Sequence, residues 1–182
     1  MIEYYLFMHK GGRETYQDGV FPIATPELTI GIVSSAGLGN DAPAVVKMFK
    51  DYLSSDIESK EFGVLSDEIM QHMPDNSDYM VLRISDTRIE SVRRGKVYGK
   101  IVKAGELKLL PNGRLSLEDE DRIVCGTEEF FTHLTDEEIL CDSMFAESSQ
   151  EWMDYMIRRI SDANWLAEGN LSAVTFIVRS GD

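Results

Sequence analysis

The sequence is poor in the residues that staple a chain, span a bilayer or grip nucleic acid. Two cysteines in 182 residues cannot build a disulfide framework. Cys125 and Cys141 both lie in apolar stretches and are expected to be buried thiols in a reducing compartment. No apolar run approaches the roughly 18 residues that a membrane-spanning helix needs. Residues 1–10 have no basic region ahead of their apolar residues and no small-residue cleavage site, so they do not read as a signal peptide. Positive charge is scarce too. Lys and Arg number 18 against 32 Asp and Glu, for a net charge of −14 and a pI near 4.6. A surface so negative repels phosphate backbones and anionic lipid, which leaves nucleic acid and membrane out of the expected partners. The expected location is the cytoplasm.

Generic catalytic signatures are missing as well. There is no Walker loop, no Cys-x-x-Cys pair and no Gly-x-Ser-x-Gly elbow. His9, His72 and His133 are far apart without ligand-like spacing, and read as surface or core residues. The acidic run Glu118-Asp119-Glu120-Asp121 reads as a solvated hairpin edge.

What is present is a foldable pattern. Hydrophobic residues make up 43% of the chain, enough for a core and too many for a disordered one. The length fits one domain, and no repeat or linker divides it. Residues 2–8 read as a strand, broken at Gly11-Gly12, with residues 16–23 as the returning arm of a hairpin. Residues 28–34 form a second β-branched run that ends in a Gly-rich stretch. Ala42, Val45, Val46, Phe49, Tyr52 and Leu53 recur at helical spacing, as do Phe62, Leu65, Ile69 and Met73. Short strands follow over 79–84, 88–92, 97–102 and 106–110, then a Pro111-Asn112-Gly113 turn read as a tight hairpin. Residues 122–125 read as one more buried strand. Thr135 with Glu138, and Ser148 with Glu151, look like capping boxes. The helix after Ser148 carries Trp152, Met156, Ile160 and Ala163 on one face, and residues 172–179 alternate as a final central strand. Strands, helices, hairpins, helices and a strand make an α+β chain with antiparallel sheets.

Five short segments, in order, resemble the metal-dependent type 2C protein phosphatase family in its bacterial sporulation and stress-response branch. In residues 12–18 (GRETYQD) the family has an Arg and then an acidic pair four and five residues on; here those places hold Arg13, Gln17 and Asp18. In residues 35–41 (SAGLGND) Ala36 stands where the family's Asp-Gly-x-Gly loop has Asp, while Gly37 and Gly39 are kept. Gly95-Lys96-Val97-Tyr98 stands in place of Gly-Asp-Ser-Arg, ten residues before Gly105-Glu106-Leu107. Gly126-Thr127-Glu128 occupies the Ser-Asp-Gly tripeptide, and Gly169-Asn170 the Asp-Asn pair before the last strand.

The resemblance implies one phosphatase-like domain over residues 1–182, with two packed antiparallel β-sheets flanked by α-helices, in a trimmed form. The family's enzymes hold two Mg²⁺ or Mn²⁺ ions through aspartates, and the ions activate water against phosphoserine or phosphothreonine. Hard cations need oxygen ligands, and two of them close together need bridging anions. Here Ala36, Thr127 and Gly169 carry no carboxylate, so only Asp18 and the Gly37 carbonyl remain as residual metal ligands. Asp41, Glu128 and Glu129 are the nearby acids that could rebuild a site, although Glu128 and Glu129 also suit a helix start. Arg13 is the implied phosphate-binding residue, because a guanidinium fork matches phosphate oxygens.

These departures lead to an expected pseudophosphatase: a binding or regulatory module for a phosphoprotein or signalling-protein partner. No cofactor is expected, with Mn²⁺ or Mg²⁺ entering only if the site is rebuilt. The alternatives are an active phosphoserine/phosphothreonine phosphatase with a reduced site, and an oligomeric structural component packed through its nine methionines.

Overall fold

The computed structural model describes residues 1–23, 27–54, 61–164, 166 and 169–179. Its strands are β1 (Ile2–His9), β2 (Asp18–Ile23), β3 (Leu28–Ser34), β4 (Asp78–Ser85), β5 (Arg88–Arg94), β6 (Val97–Lys103), β7 (Glu106–Leu109), β8 (Gly113–Ser116), β9 (Arg122–Thr127) and β10 (Leu171–Val178). They form two five-stranded antiparallel sheets, ordered β1-β10-β9-β6-β7 and β2-β3-β4-β5-β8. The apolar alternation read over 172–179 is a central strand between β1 and β9, buried along its length.

Helices α1 (Ala42–Ser54) and α2 (Phe62–His72) cover the β2–β8 sheet; α3 (Glu128–Thr132), α4 (Asp136–Phe145) and α5 (Ser149–Asp162) cover the other. The inner faces of the sheets meet in a core that holds Ile30, Ile32, Met80, Leu82, Ile123 and Phe176. Phe49, Leu53, Leu65 and Ile69 pin α1 and α2 onto one sheet, and Trp152, Met153, Met156 and Ile160 pin α5 onto the other. Four layers result, helix, sheet, sheet and helix, as the sequence implied.

Helix starts follow the expected chemistry with one difference. Thr135 and Glu138 form the full reciprocal box that opens α4. Ser148 accepts from the Glu151 N–H at 3.0 Å, but the Glu151 carboxylate takes the Glu147 N–H instead, so α5 has half a box.

Five sequence expectations need correction. Gly11-Gly12 does not turn a hairpin, because β1 and β2 belong to different sheets. The same is true of Pro111-Asn112-Gly113, which carries the chain from β7 to β8 across the sandwich. The acidic run is likewise a connection between sheets, from β8 to β9. Its Asp121 is 4% exposed and accepts the Glu118 N–H, so it is a turn-forming group rather than a solvated edge. Finally, Cys125 is buried but Cys141 is exposed on α4, and Ala163 ends α5 as an exposed cap.

Candidate functional site

Sheet register builds the site. On the β2–β8 sheet, Ser34 at the end of β3 lies directly opposite Asp18 on β2 and Asp78 on β4. Directly opposed residues point to the same face, so one row reads Asp18, Ser34, Asp78 across three strands. The Ser34 hydroxyl donates to Asp18 Oδ1 at 2.9 Å. Asp78 is held against Gly95, whose φ of +71° and missing side chain leave room for the carboxylate.

The other sheet ends at the same place. Thr127 closes β9 opposite Val97, and its hydroxyl lies 3.5 Å from the Ser172 N–H that donates to it. Asn170, just before β10, accepts the Gln17 N–H through Oδ1 at 3.0 Å, and the Gln17 carbonyl accepts from both the N–H and the hydroxyl of Ser35. Glu129, in the first turn of α3, lies beside Gly169, where an added Cβ would be 3.9 Å from its Cγ. The loops that carry Asp18, Ala36, Thr127 and Gly169 therefore meet at one end of the sandwich. A cleft of about 300 Å³ opens there, lined by Ser34, Gly37, Asn76, Asp78, Lys96 and Glu129. A larger hollow of about 450 Å³ runs along α1, but its Lys47 and Asp51 pair with each other, and among the described residues no polar group from another element lines it.

The electrostatics are those of an acidic pocket with few cations. Asp18 is fully buried, and its carboxyl is pushed up to about 7. Burial is the main cause; the nearby Glu129 and Asp78 add to it, while the Ser34 hydrogen bond and Arg13 oppose it. Lys96 Nζ sits 2.8 Å from Glu128 Oε2, and that bond, with the charges of Glu129 and Asp78, raises the Lys96 pKa. Arg13 is exposed, close enough to act on Asp18, is not among the cleft-lining residues, and makes no ion pair among the described residues. Asp41 is exposed at the end of the 3₁₀ segment Ala36–Asp41 and is not among the cleft-lining residues.

Four buried polar atoms near this point have no hydrogen-bond partner among the described residues: Gln17 Oε1, Asp18 Oδ2, Asn170 Nδ2 and Ser172 Oγ. Each such group costs on the order of 1–3 kcal/mol, so the fold gives up stability here.

The positions that the resemblance implies as metal ligands are short of carboxylates, although Asp78 and Glu129 line the same cleft. Of the buried converging positions only Asp18 offers a carboxylate. Glu128 is tied to Lys96, Thr127 offers a neutral hydroxyl, and Gly169 offers no side chain. Among the described residues no group of three or more His, Cys, Asp or Glu side chains is arranged to hold an ion.

Nothing in the sequence marks Asp78 or Asn76 as site residues, and Lys96 stands out there only as part of Gly95-Lys96-Val97-Tyr98. Asp78 is an acid at a strand start, which reads as solvent-facing; only the β3–β4 register reveals that it shares a row with Asp18.

No family model matches the chain, and no curated protein matches it in sequence. Solved structures do match. The serine/threonine phosphatase Stp1 from Staphylococcus aureus superposes with a TM-score of 0.81 at 9% identity, covering 99% of this chain and 96% of that one. RsbX in complex with magnesium gives 0.79 at 16% identity, over 97% and 95%. The catalytic domain of the serine/threonine protein phosphatase PstP with two manganese ions gives 0.72 at 13% identity, over 98% and 99%.

Proposed function

We propose, from the fold that this chain shares with bacterial type 2C serine/threonine phosphatases, that it is a pseudophosphatase: a binding or regulatory module whose partner is a phosphoprotein or another signalling protein. One observation carries the reading. The strand ends that meet at the cleft bring Asp18, Thr127 and Gly169 together, and only Asp18 carries a carboxylate. Two divalent ions at van der Waals distance repel unless several anions bridge and surround them. Without that anion set there is no metal-bound hydroxide to attack phosphorus.

The chain's own side chains do not replace that nucleophile. Cys125 is fully buried in β9, and burial pushes its thiol far above the ordinary range, away from the reactive thiolate. Arg13 remains exposed with its guanidinium fork available to a phosphate. It holds a phosphorylated side chain in this reading, and nothing cleaves it. The uncompensated polar atoms of Gln17, Asn170 and Ser172 are consistent with a site kept for a ligand.

The test is a calorimetric Mn²⁺ titration beside an assay of a phosphothreonine peptide. The expected result is no site tighter than roughly millimolar and no turnover above background. Metal-dependent turnover that disappears in Asp18→Ala would overturn the reading.

A second reading, an active phosphoserine/phosphothreonine phosphatase with a rebuilt Mn²⁺ or Mg²⁺ site, has its own support. Asp78 and Glu129 both line the cleft and are close enough to act on Asp18, and Glu129 stands beside the position vacated at Gly169. If this reading holds, Mn²⁺ binds the unaltered protein tightly and Glu129→Gln or Asp78→Asn abolishes it.

A further inference from the structure

A second surface, away from the cleft, lies where α4 crosses the outer face of β6 and β7. β7 is the last strand of its sheet, and no described strand pairs with its other side. Leu109 opposes Lys100 and Leu107 opposes Val102, so both leucines share the face of those β6 residues. Lys100 reaches Asp136 at the start of α4, while Val102 shares a hollow with Met144 near its end. α4 therefore runs along β6 and β7, from Leu109 at one end to the Ala104-Gly105 turn at the other.

The outer side of this helix is apolar. Met144 is 70% and Phe145 72% exposed, with partly buried Leu140 one turn before Met144 and exposed Cys141 one turn before Phe145. Leu109 is itself 55% exposed. A surface helix ordinarily turns polar residues outward, as α5 does with Asp154, Arg158 and Ser161. α4 and the edge of β7 leave an apolar strip uncovered instead, the mark of an interaction site.

Charge says what covers it. Exposed Glu137 and Glu147 bracket α4 and make no ion pair among the described residues. The hollow beside Met144 adds Asp119 and Glu118, the latter paired with Lys103. The cations nearby are engaged within the fold: Arg122 caps the end of α4 through the Ser143 and Ala146 carbonyls, and Lys103 pairs with Glu118 and Asp121. A second copy would bring an identical acidic rim, and a net charge of −14, against this one. We infer that the α4–β7 strip is a docking site for a basic amphipathic segment of a partner protein, with apolar residues against Leu109, Leu140, Met144 and Phe145 and Lys or Arg against the acidic rim. Methionine suits such a contact because its flexible side chain adapts to the shape it meets.

The test uses a designed helical peptide with one leucine face and one lysine face, and a scrambled peptide of the same composition. Fluorescence anisotropy against the full chain is expected to show the designed peptide binding more tightly than the scrambled one, more weakly at high salt. The double variant Met144→Ser, Phe145→Ser should weaken it at least about tenfold, as loss of a central apolar anchor does. Phe145→Leu should restore much of the binding, and backbone NMR shifts should map to α4 and β7. Equal binding of both peptides, or no loss in the double variant, overturns the inference. So does concentration-dependent dimerisation of the unaltered chain that the double variant abolishes, because the occupant would then be a second copy. The cleft is not involved, so failure here leaves the pseudophosphatase reading standing.

Discussion

Glu129 occupies the side of the cleft that a side chain at Gly169 would face. Among the described residues, chain neighbours aside, a Cβ built on Gly169 comes no nearer than 3.9 Å to another residue, and that residue's atom is the Glu129 Cγ. The two residues come from opposite ends of the chain's last third, one opening α3 and the other preceding β10. Their approach leaves room for a carboxylate at 169 and puts an acid next to it. The backbone there has space for a metal-ligating side chain that the sequence does not supply.

Restoring the ligands should therefore be sterically possible and electrostatically costly. Gly169→Asp adds a carboxylate beside Glu129 and near Asp18, three like charges in a poorly solvated cleft. In a chelating buffer the variant is expected to melt below the unaltered chain, and added Mn²⁺ should recover the difference by binding only the folded state. Combining it with Ala36→Asp and Thr127→Asp should give measurable Mn²⁺ affinity by calorimetry. No Mn²⁺ effect on the melting of either variant would mean that the backbone has lost its geometry.

The two thiols should differ sharply in reactivity. Cys125 is fully buried with its thiol pushed up by burial, whereas Cys141 is exposed. A chromogenic disulfide reagent should titrate one thiol per chain in the native protein and two in concentrated urea. Prompt reaction of both under native conditions would contradict the burial of β9.

The contact of α1 with β3 can be tested at Gly31. An added Cβ there would lie 2.0 Å from Leu53 Cδ1 and 2.7 Å from Phe49 Cε1, two side chains with no exposed surface. Gly31→Ala is expected to destabilise the fold by about 1–3 kcal/mol in urea, as overpacking of a full core does. A neutral or stabilising result would show that α1 can lift away from the sheet.

Sequence reading recovered the elements better than their connections. Apolar spacing located the strands and helices because each buries a face, and burial imposes its own period of two or 3.6 residues. Turn chemistry, by contrast, is local. Gly11 and Gly113 do adopt positive φ, at 62° and 99°, as a tight turn requires. Which sheet the following strand joins is settled by packing between distant segments, so both expected hairpins are crossings between sheets. The site divided in the same way. Arg13, Asp18 and Gly37 were visible through motif order, whereas Asp78 depends on a register that places it two strands from Asp18. Nothing in the sequence marks Met144 and Phe145 as exposed; that follows from which side of α4 packs on the sheet.

The last prediction concerns Asp18 and pH. In the unfolded chain its carboxyl ionises near 3.8, and in the folded chain near 7. Between those values the folded state keeps a proton that the unfolded state has lost, so this residue favours unfolding increasingly as pH rises from about 4 to about 7, and by a constant amount above that. Each pH unit of separation is worth about 1.4 kcal/mol, which puts the ceiling on the order of 4 kcal/mol. Asp18→Asn keeps an oxygen to accept the Ser34 hydroxyl and removes the titration. Its stability relative to the unaltered chain should be close to neutral at pH 4 and clearly higher at pH 8, measured by urea unfolding with chelator present. Taking the difference cancels the general repulsion of a chain with net charge −14, which both proteins share apart from this one group. If the gain is absent at pH 8, or is already complete at pH 4, then Asp18 is ionised in the metal-free fold and burial does not hold its proton.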